Sequence, residues 1–393
     1  MDRTVTLKAV LGERNDVTAE RFAPGDLVSG VNMDIDTTGK MSLRKGRTLA
    51  QAGVFHSLWA EGIHALVVKD GLLSWVNSSN IATSLGRAIA GDRVTYAHVN
   101  GTTFFSDGLS TGVVTMTYGL RSWGMSMVDA TTPTIGTGDL PAGTYQYAMT
   151  LRRSDGFESG SARARSIVLS SQGSLSWATL PTHSDASTVR VYLSRVNGDE
   201  LYLAGEYPTG STNVAIKEQP RERGRLRTMF MQAPFAGKVF GPWNGRIFIA
   251  RDNFVGWTLP FRYELMAPDK DWWAFNNPVT LVQPADDGLY VATTAATYFM
   301  AGQDPASMQM RLVLPYGAVP GTSVVVPPEQ VGNGQSMGRV SVWMSTQGPI
   351  LGLGTGQVVN LTGQRYRVPA ATSGASMFRA DVGRPQYIVN LFG

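Results

Sequence analysis

Apolar and polar positions alternate on both sides of short Asx-Gly turns at four places in this chain. The stretches are residues 64–76 (HALVVKDGLLSWV), 238–250 (KVFGPWNGRIFIA), 280–300 (TLVQPADDGLYVATTAATYFM) and, more weakly, 94–105 (VTYAHVNGTTFF). Asp-Gly or Asn-Gly between alternating apolar residues predicts a β-hairpin, because both turn residues must take a positive φ. A hairpin cannot bury its apolar face alone, so a recurring hairpin indicates stacked copies that share a core.

Radial stacking of four-stranded units leaves only short sheet edges, so the repeat predicts an all-β fold of the β-propeller type. The repeat is irregular, because Gly71 and Gly101 are 30 residues apart, Gly245 and Gly288 are 43 apart, and Gly288 and Gly348 are 60 apart. Only the second spacing matches the roughly 40–45 residues of a regular blade. We therefore predict an irregular propeller of about five to seven blades, formed by residues 51–135 and 221–393.

The first fifty residues predict an extended arm. Within it, residues 32–47 (NMDIDTTGKMSLRKGR) favour a hairpin around residues 37–39, with strands at residues 33–36 and 41–44. The first ten residues lack the apolar run of a secretory signal, and no run of the chain approaches membrane-spanning length. We therefore expect neither a cleaved leader nor a membrane-spanning segment.

The strand rhythm changes after residues 130–139 (ATTPTIGTGD), a stretch whose composition predicts a polar linker. A turn at residues 154–156 (SDG), a hairpin around residues 197–198 (NG) and the alternation in residues 189–194 (VRVYLS) favour short, half-buried antiparallel strands. Residues 136–220 are thus expected to form a β-sandwich of the fibronectin type III kind. Insertion of such a module is tolerated at a loop tip of a host domain.

The composition of the chain limits the classes of function that it can have. Charged residues make up 16% of the chain, below the roughly 25% of a typical soluble protein, and the chain has nine Trp and sixteen Met. Either an assembly subunit or a large, well-buried monomer accounts for this, since the cores of protein interfaces are also poor in charge. A net charge of +4 does not favour sequence-independent binding of nucleic acid. The chain has no Cys, so it has no disulfide and no thiolate chemistry, which fits assembly in a reducing compartment.

No catalytic, cofactor or metal site is predicted. The four His residues are scattered, and the motifs of zinc proteases, serine hydrolases and nucleotide-binding loops are absent. Asp286 and Asp287 are adjacent, which favours a turn over a pair of catalytic carboxylates. Residues 352–356 (GLGTG) open no predicted helix, and residues 170–177 (SSQGSLSW) carry Gln172 where the aspartate box of a sialidase has Asp.

Two further groups have both a structural and a functional interpretation. Arginines occupy every second position from residue 221 to residue 227: Arg221, Arg223, Arg225 and Arg227. On an extended segment they would line one side and contact phosphate or the carboxylates of a partner, although a solvated linker has the same composition. The aromatic group Trp272, Trp273 and Phe275, with Trp257 and Phe261 upstream, favours packing between blades or subunits over sugar stacking.

The order of these features resembles that of the tail nozzle proteins of short-tailed bacteriophages, the tail tubular protein B type. Three regions carry the resemblance: residues 32–47 with HSLWAEG at 56–62; residues 142–160 (AGTYQYAMTLRRSDGFESG) with 189–208 (VRVYLSRVNGDELYLAGEYP); and residues 243–275 with 284–302 (PADDGLYVATTAATYFMAG). The similarity covers most of the chain, and it consists of strand-turn patterns. The chain is short for this family.

The resemblance implies a hexameric ring in the virion tail, assembled in the cytoplasm of the host bacterium. Such a ring would dock to the tail adaptor protein and to tail fibres, and genomic DNA would make transient contact with its lumen. The role would be structural, and the chain would not be an enzyme. The alternative is a carbohydrate-binding or glycoside-cleaving β-propeller, a receptor-binding tail protein, which would bring several carboxylates and aromatic residues together at the mouth of the central channel.

Overall fold

A computed structural model describes residues 10–36, 38–46, 48–62, 64–91, 93–331, 338–363, 365–381 and 384–393. Strands account for 50% of the chain and helices for 2%, so the all-β prediction is confirmed. The helices are three single 3-10 turns at Ala19–Arg21, Pro305–Ser307 and Pro328–Gln330. In the part of the chain covered by these ranges, no helix has the length and apolar character needed to cross a membrane.

The N-terminal region forms two small sheets. Strands β1 (Gly12–Glu13) and β2 (Asp26–Leu27) pair in parallel, whereas β3 (Met33–Ile35) and β4 (Met41–Leu43) form an antiparallel hairpin. The predicted strands of the arm hairpin are therefore correct to within one residue at their ends. Position 37, at the predicted turn, lies outside the described residues.

Outside the insert, the described residues form five antiparallel sheets of four strands, and each of these sheets is built from strands in sequence order. Sheet 1 contains β5 (Phe55–Glu61), β6 (His64–Lys69), β7 (Leu72–Val76) and β8 (Ala82–Ala88). Sheet 2 contains β9 (Thr95–Val99), β10 (Thr102–Ser106), β11 (Thr111–Val114) and β12 (Leu120–Arg121).

Seven strands then follow in the insert: β13 (Thr134–Leu140), β14 (Gly143–Arg152), β15 (Arg165–Leu169), β16 (Gly173–Thr179), β17 (Thr188–Ser194), β18 (Leu201–Pro208) and β19 (Thr212–Ile216). They form a three-stranded sheet in the order β13-β16-β19 and a four-stranded sheet in the order β15-β14-β17-β18. Buried side chains from both sheets share one core, which includes Tyr145, Trp177 and Val191. We call this unit the sandwich; its kinship to fibronectin type III domains stays a prediction.

The remaining sheets follow the sandwich. Sheet 3 contains β20 (Lys238–Trp243), β21 (Arg246–Arg251), β22 (Phe254–Trp257) and β23 (Trp272–Ala274). Sheet 4 contains β24 (Val279–Pro284), β25 (Gly288–Thr293), β26 (Thr297–Ala301) and β27 (Gln309–Leu314). Sheet 5 contains β28 (Val324–Val326), β29 (Val340–Ser345), β30 (Gly348–Gly352) and β31 (Val358–Asn360), and a terminal hairpin is formed by β32 (Ser373–Asp381) and β33 (Arg384–Phe392).

Successive sheets pack face to face, as the blades of a propeller do. Separate apolar cores join sheet 1 to sheet 2, sheet 2 to sheet 3, sheet 3 to sheet 4, sheet 4 to sheet 5, and sheet 5 to the terminal hairpin. The first strands β9, β20 and β24 are neighbours, so they form the inner side of the arrangement. The fold is thus an irregular β-propeller with five full blades, a short terminal unit and an inserted sandwich.

The predicted hairpins are present in the described residues, with differences in their turns. Both turn residues have positive φ in three two-residue turns: Asp70 (51°) and Gly71 (79°), Asn100 (51°) and Gly101 (74°), and Asn244 (45°) and Gly245 (70°). The prediction for residues 280–300 is wrong in detail, since Asp287 and Gly288 do not form a two-residue turn. Residues 285–287 form a three-residue loop, which the Ala285 N–H closes by donating to the carbonyl of Gly288 in β25 over 2.9 Å.

Two predictions about the insert are also wrong. The stretch expected to be a polar linker contains β13, which pairs with β16 and supplies the buried Leu140 to the core. The alternation in β17 does not leave one face in water, because Tyr192 (3% exposed) and Ser194 (0%) are buried like Val191. The reason is tertiary: Leu226 and Met229 of the following segment cover that face.

Candidate functional site

The segment with the four arginines is hydrogen-bonded to the sandwich. The Leu203 N–H donates to the Gly224 carbonyl (3.1 Å) and the Leu226 N–H to the Leu201 carbonyl (2.9 Å), so the segment runs along the edge of β18. A tight turn between Arg221 and Arg223, followed by Gly224 at φ 62°, breaks the extended geometry. The arginines therefore do not line one straight side.

All four of these arginine side chains are exposed. Arg225 forms an ion pair with Glu200 over 2.9 Å, and the intervening Glu222 pairs with Arg195 over 2.6 Å. Exposed pairs of this kind contribute little to stability, with a median of about 0–1 kcal/mol. Contact of Arg221, Arg223 and Arg227 with phosphate or with a partner stays a prediction.

A cleft opens where the sandwich meets sheets 2 and 3. It has a volume of about 580 Å³, and its walls come from the β9–β10 turn, from β12, from β14 and β17 of the sandwich, and from the loop of residues 258–267. Its lining is a mixture of arginines and aromatic side chains, among them Arg121, Arg190, Phe104 and Tyr263. We call this the junction cleft.

A buried ion pair fixes one wall of the junction cleft. Arg153 of the sandwich donates two hydrogen bonds to Glu264 of the loop, over 2.9 and 2.8 Å, and both residues are 8% exposed. Arg121 of sheet 2 donates to the same carboxylate over 2.6 Å. Burial lowers the pKa of Arg153, but the bonds to Glu264 and Asp155 outweigh it and hold that pKa above its ordinary value. Three parts of the molecule thus meet at one carboxylate.

A second ion network covers the outer face of the sandwich. Glu158 accepts hydrogen bonds from Thr150 (2.7 Å), Tyr192 (2.5 Å) and Arg190 (2.8 Å). Glu206 accepts bonds from Arg190, Thr188 and Arg152. Burial raises the pKa of Glu206, but these bonds dominate and lower it from 4.5 to about 2. These donors therefore hold the Glu206 carboxylate as an anion, and it is not available as a general acid at neutral pH.

The loop of residues 258–267 is held against the body by short contacts. The Trp123 indole N–H donates to the Tyr263 carbonyl over 2.6 Å, and Gln232 and Met266 exchange backbone hydrogen bonds of 2.9 and 2.8 Å. Gly124 has φ 81°, and a Cβ there would lie 2.6 Å from the Glu264 carbonyl oxygen. Only glycine permits this close approach.

A smaller cavity of about 390 Å³ adjoins the junction cleft and shares Phe261 and Tyr263 with it. The Asn244-Gly245 turn, Asp286 and Arg339 also line it. The Asp286 carboxylate accepts a hydrogen bond from the Arg339 backbone N–H over 2.9 Å, and the Asp287 N–H donates to the Gly354 carbonyl. Asp286 and Asp287 therefore lie in the loop between β24 and β25, as the sequence predicted.

The aromatic group of sheet 3 divides between packing and exposure. Trp257, Trp273 and Phe275 pack in the core between sheets 3 and 4, as expected for a packing role. Trp272 is 44% exposed and meets Phe254 edge to face. Phe261 is 78% exposed and lines both cavities, a placement that the sequence did not predict.

Sequence reasoning also missed a histidine pair between sheets 1 and 2. The rings of His64 and His98 have centroids 4.8 Å apart, with Trp59 and Tyr118 beside them. Burial, and then the charge of His64, hold the pKa of His98 below its ordinary value. The two histidines are distant in sequence, and only the stacking of the sheets brings them together. No group of three or more His, Asp or Glu suited to a metal ion occurs in the ranges described.

Comparisons with known proteins give no family. No protein-family model matches the chain, and no curated protein matches it. Among solved structures it is similar to the N-terminal domain of Nup159, at 10% identity over 86% of this chain and 76% of that chain, with a TM-score of 0.33. It is also similar to Sqt1 of Saccharomyces cerevisiae, at 10% identity over 75% and 97%, with a TM-score of 0.21. Scores this low carry no argument, so the fold assignment rests on the order of the sheets and their shared cores.

Proposed function

We propose that the chain is a structural subunit of the tail nozzle of a short-tailed bacteriophage. In this proposal six copies form a ring below the tail adaptor protein, and genomic DNA leaves through the lumen of that ring. The observation that carries the proposal is a concentration of exposed apolar side chains in residues 28–58, which we call the apolar arm segment. An assembly subunit needs such a surface, whereas a soluble monomer does not.

Eight large apolar side chains of the described residues are more than 70% exposed, and six of them belong to this segment: Val28 (74%), Val31 (77%), Leu43 (88%), Leu49 (83%), Val54 (72%) and Leu58 (72%). Full burial of one such side chain is worth roughly 1.5–3 kcal/mol. Covering all six would thus favour association by roughly 10 kcal/mol before the entropic cost of association is subtracted.

The carboxylates of the junction cleft do not favour the glycoside-cleaving alternative. A glycosidase of the common type needs one carboxylic acid and one free carboxylate near the sugar. Glu264 is held by Arg153 and Arg121, and Glu158 is held by three donors. We therefore propose a structural role and no enzymatic one. The other half of that alternative, carbohydrate binding without cleavage by a receptor-binding protein, is tested by the assembly experiment described next.

Electron microscopy of the protein co-expressed with the tail adaptor of the same virus tests the proposal. We expect closed six-fold rings from the unmodified chain. The double variant Leu43→Ser, Leu49→Ser should remain folded, because neither side chain is buried, but should fail to form rings.

The matched control is Ile135→Ser with Val168→Ser, which removes two apolar side chains that are 55% and 62% exposed on the sandwich. It should leave ring formation intact. Isolated trimers on fibres, or rings that form equally well with the arm variant, would contradict the proposal. Trimers would support the receptor-binding alternative.

A further inference from the structure

The most unusual exposed residue of the molecule is Phe261. It stands between the junction cleft and the smaller cavity and lines both of them. Its side chain is 78% exposed, and its backbone has φ 57°, in the left-handed region. For a bulky residue this conformation is a genuine outlier and costs on the order of 1–2 kcal/mol.

The surrounding structure holds Phe261 in this position. Its N–H donates to the Gly245 carbonyl over 2.7 Å, and its ring lies so close to Gly245 that a Cβ there would be 2.9 Å from two ring carbons. Because Phe261 is 78% exposed, burial of its ring does not offset this backbone strain. Strain that the fold maintains without a packing benefit is found at ligand-binding sites.

Positively charged hydrogen-bond donors without partners lie around Phe261. In the described part of the chain, the guanidinium groups of Arg262 and Arg339 have no ion-pair or hydrogen-bond partner, and the buried Nε of Arg152 also lacks an acceptor. The carboxylates nearby are already occupied: Glu264 by two arginines, Glu158 by three donors, and Asp286 by the Arg339 N–H. A ligand that completes this site must bring acceptors, preferably planar anionic ones that match guanidinium geometry.

We propose that the two cavities around Phe261 bind an extended segment of a partner protein that presents a carboxylate next to an apolar side chain. The apolar side chain would pack on Phe261, and the carboxylate would pair with Arg262. Glu158, Glu264 and Asp286 line the same cavities, so the closely spaced charges of a nucleic acid or a sulfated glycan would meet repulsion. Isolated carboxylates on a polypeptide avoid it. This inference stands whether or not the chain is a tail protein.

Short peptides with blocked ends test the inference on the full-length protein. The series has the sequence Gly-Ser-X-Z-X-Ser-Gly, in which X is Glu or Gln and Z is Leu, Phe or Ser. Binding is followed by fluorescence anisotropy up to about 5 mM, the range in which a short segment binds. Peptides with X as Glu and Z as Leu or Phe should bind at least about tenfold more tightly than those with X as Gln or Z as Ser.

Substitutions locate the binding. Phe261→Gly should weaken binding of the Glu-Phe peptide about tenfold while leaving the melting temperature unchanged or raised, because glycine accepts a positive φ without strain. Arg262→Ser should weaken binding to a similar degree. The matched controls are Phe230→Gly, at another exposed Phe with φ 61°, and Arg223→Ser, at another exposed arginine; both lie outside the cavities and should bind normally.

Three results would overturn the inference. The first is no saturable binding of any acidic peptide in that range. The second is binding that Phe261→Gly and Arg262→Ser leave unchanged. The third is binding of a heparin oligosaccharide or of oligothymidine in which Arg262 takes part and which excludes the peptides, since this would assign the cavities to a polyanion.

Discussion

The N-terminal arm and the sandwich both extend from the β-propeller, but they are attached to it in different ways. The sandwich is joined by the buried Arg153–Glu264 pair and by apolar contacts of Leu226 and Met229. The arm is joined by polar contacts: Asn15 is bonded to residue 367, Asp34 lies 3.6 Å from Arg379 of the terminal hairpin, and the buried carboxylate of Asp26 pairs with Arg365. The attachment of the sandwich includes apolar packing, whereas these contacts of the arm are polar.

The two attachments indicate which part of the molecule buries its surface without a partner. Separating Arg153 from Glu264 would leave a buried charge without a partner, which costs free energy. We therefore expect the sandwich to stay attached to the propeller at this junction. The arm is held by polar contacts and leaves Val28, Val31, Leu43 and Leu49 more than 70% exposed. We infer that the chain alone pairs the buried charges of the sandwich, whereas the arm requires a partner to cover its exposed apolar side chains.

The largest expected effect distinguishes two boundaries for the sandwich. A fragment of residues 124–232 should unfold cooperatively by itself, because its core is formed by its own residues. A fragment of residues 140–217, which follows the linker predicted from the sequence, should not fold. It lacks β13 and the Thr131 carbonyl that accepts the hydrogen bond of the buried Trp177 indole over 2.8 Å.

Urea unfolding of both fragments, followed by tryptophan fluorescence, checks this prediction. If the shorter fragment shows the same cooperative transition, then β13 is dispensable. If neither fragment folds, the sandwich depends on the β-propeller for more than its attachment.

A smaller effect measures the attachment itself. Glu264→Ala leaves Arg153 and Arg121 beside an empty buried site, and we expect it to lower the free energy of unfolding by about 3–5 kcal/mol. The control is Glu222→Ala, which breaks the ion pair between Glu222 and Arg195. The side chains of these two residues are 60% and 51% exposed, respectively. The control substitution should cost less than about 1 kcal/mol. Chemical denaturation gives both values, and similar losses would mean that the junction is no more than a surface contact.

The smallest effect concerns sheet 1, which follows the arm in sequence. The folded protein favours neutral His98, because burial and the charge of His64 lower its pKa below 6.5. The stability due to this neutral form is complete above pH 6.5 and is lost as the pH falls towards the lower, folded pKa. Between pH 7.5 and 5.5 the melting temperature should fall by about 1–3 °C more in the unmodified protein than in His98→Gln.

The other groups that face the pair of His64 and His98 are Trp59, Tyr118, and Glu61, whose pKa is raised by burial, an effect that the charge of His64 partly offsets. Protonation of Glu61 acts in the opposite direction at a more acidic pH. An unchanged slope in His98→Gln would show that the pair does not titrate in this range.

The sequence predicted what short-range chemistry determines. Asp70 and Gly71, like Asn100 and Gly101, specify their turns by backbone preference alone, so the hairpins were predicted at the correct positions. The stretch containing β13 was not, because its Gly and Thr residues form a strand only when β16 is present to pair with them. The burial of Tyr192 likewise depends on Leu226, which lies more than thirty residues away in sequence.

The candidate site was beyond the reach of local patterns for the same reason. The Arg153–Glu264 pair joins residues 111 positions apart, and the His64–His98 contact requires two sheets to stack. Phe261 belonged to an aromatic group of which Trp257, Trp273 and Phe275 pack in a core, whereas Trp272 is exposed. The positive φ of Phe261 belongs to a local turn that the Arg262 N–H and the Leu259 carbonyl close over 3.1 Å, but the hydrogen bond from its N–H to the Gly245 carbonyl is a tertiary contact.

Amide hydrogen exchange of the free protein and of the assembled particle shows whether assembly covers the apolar arm segment. We expect residues 28–58 to exchange rapidly in the free protein and to become strongly protected in the particle. We also expect the loop of residues 258–267 at the sandwich junction to have the same protection in both. Equal exchange of residues 28–58 in the two states, or protection gained only at the junction, would contradict this expectation.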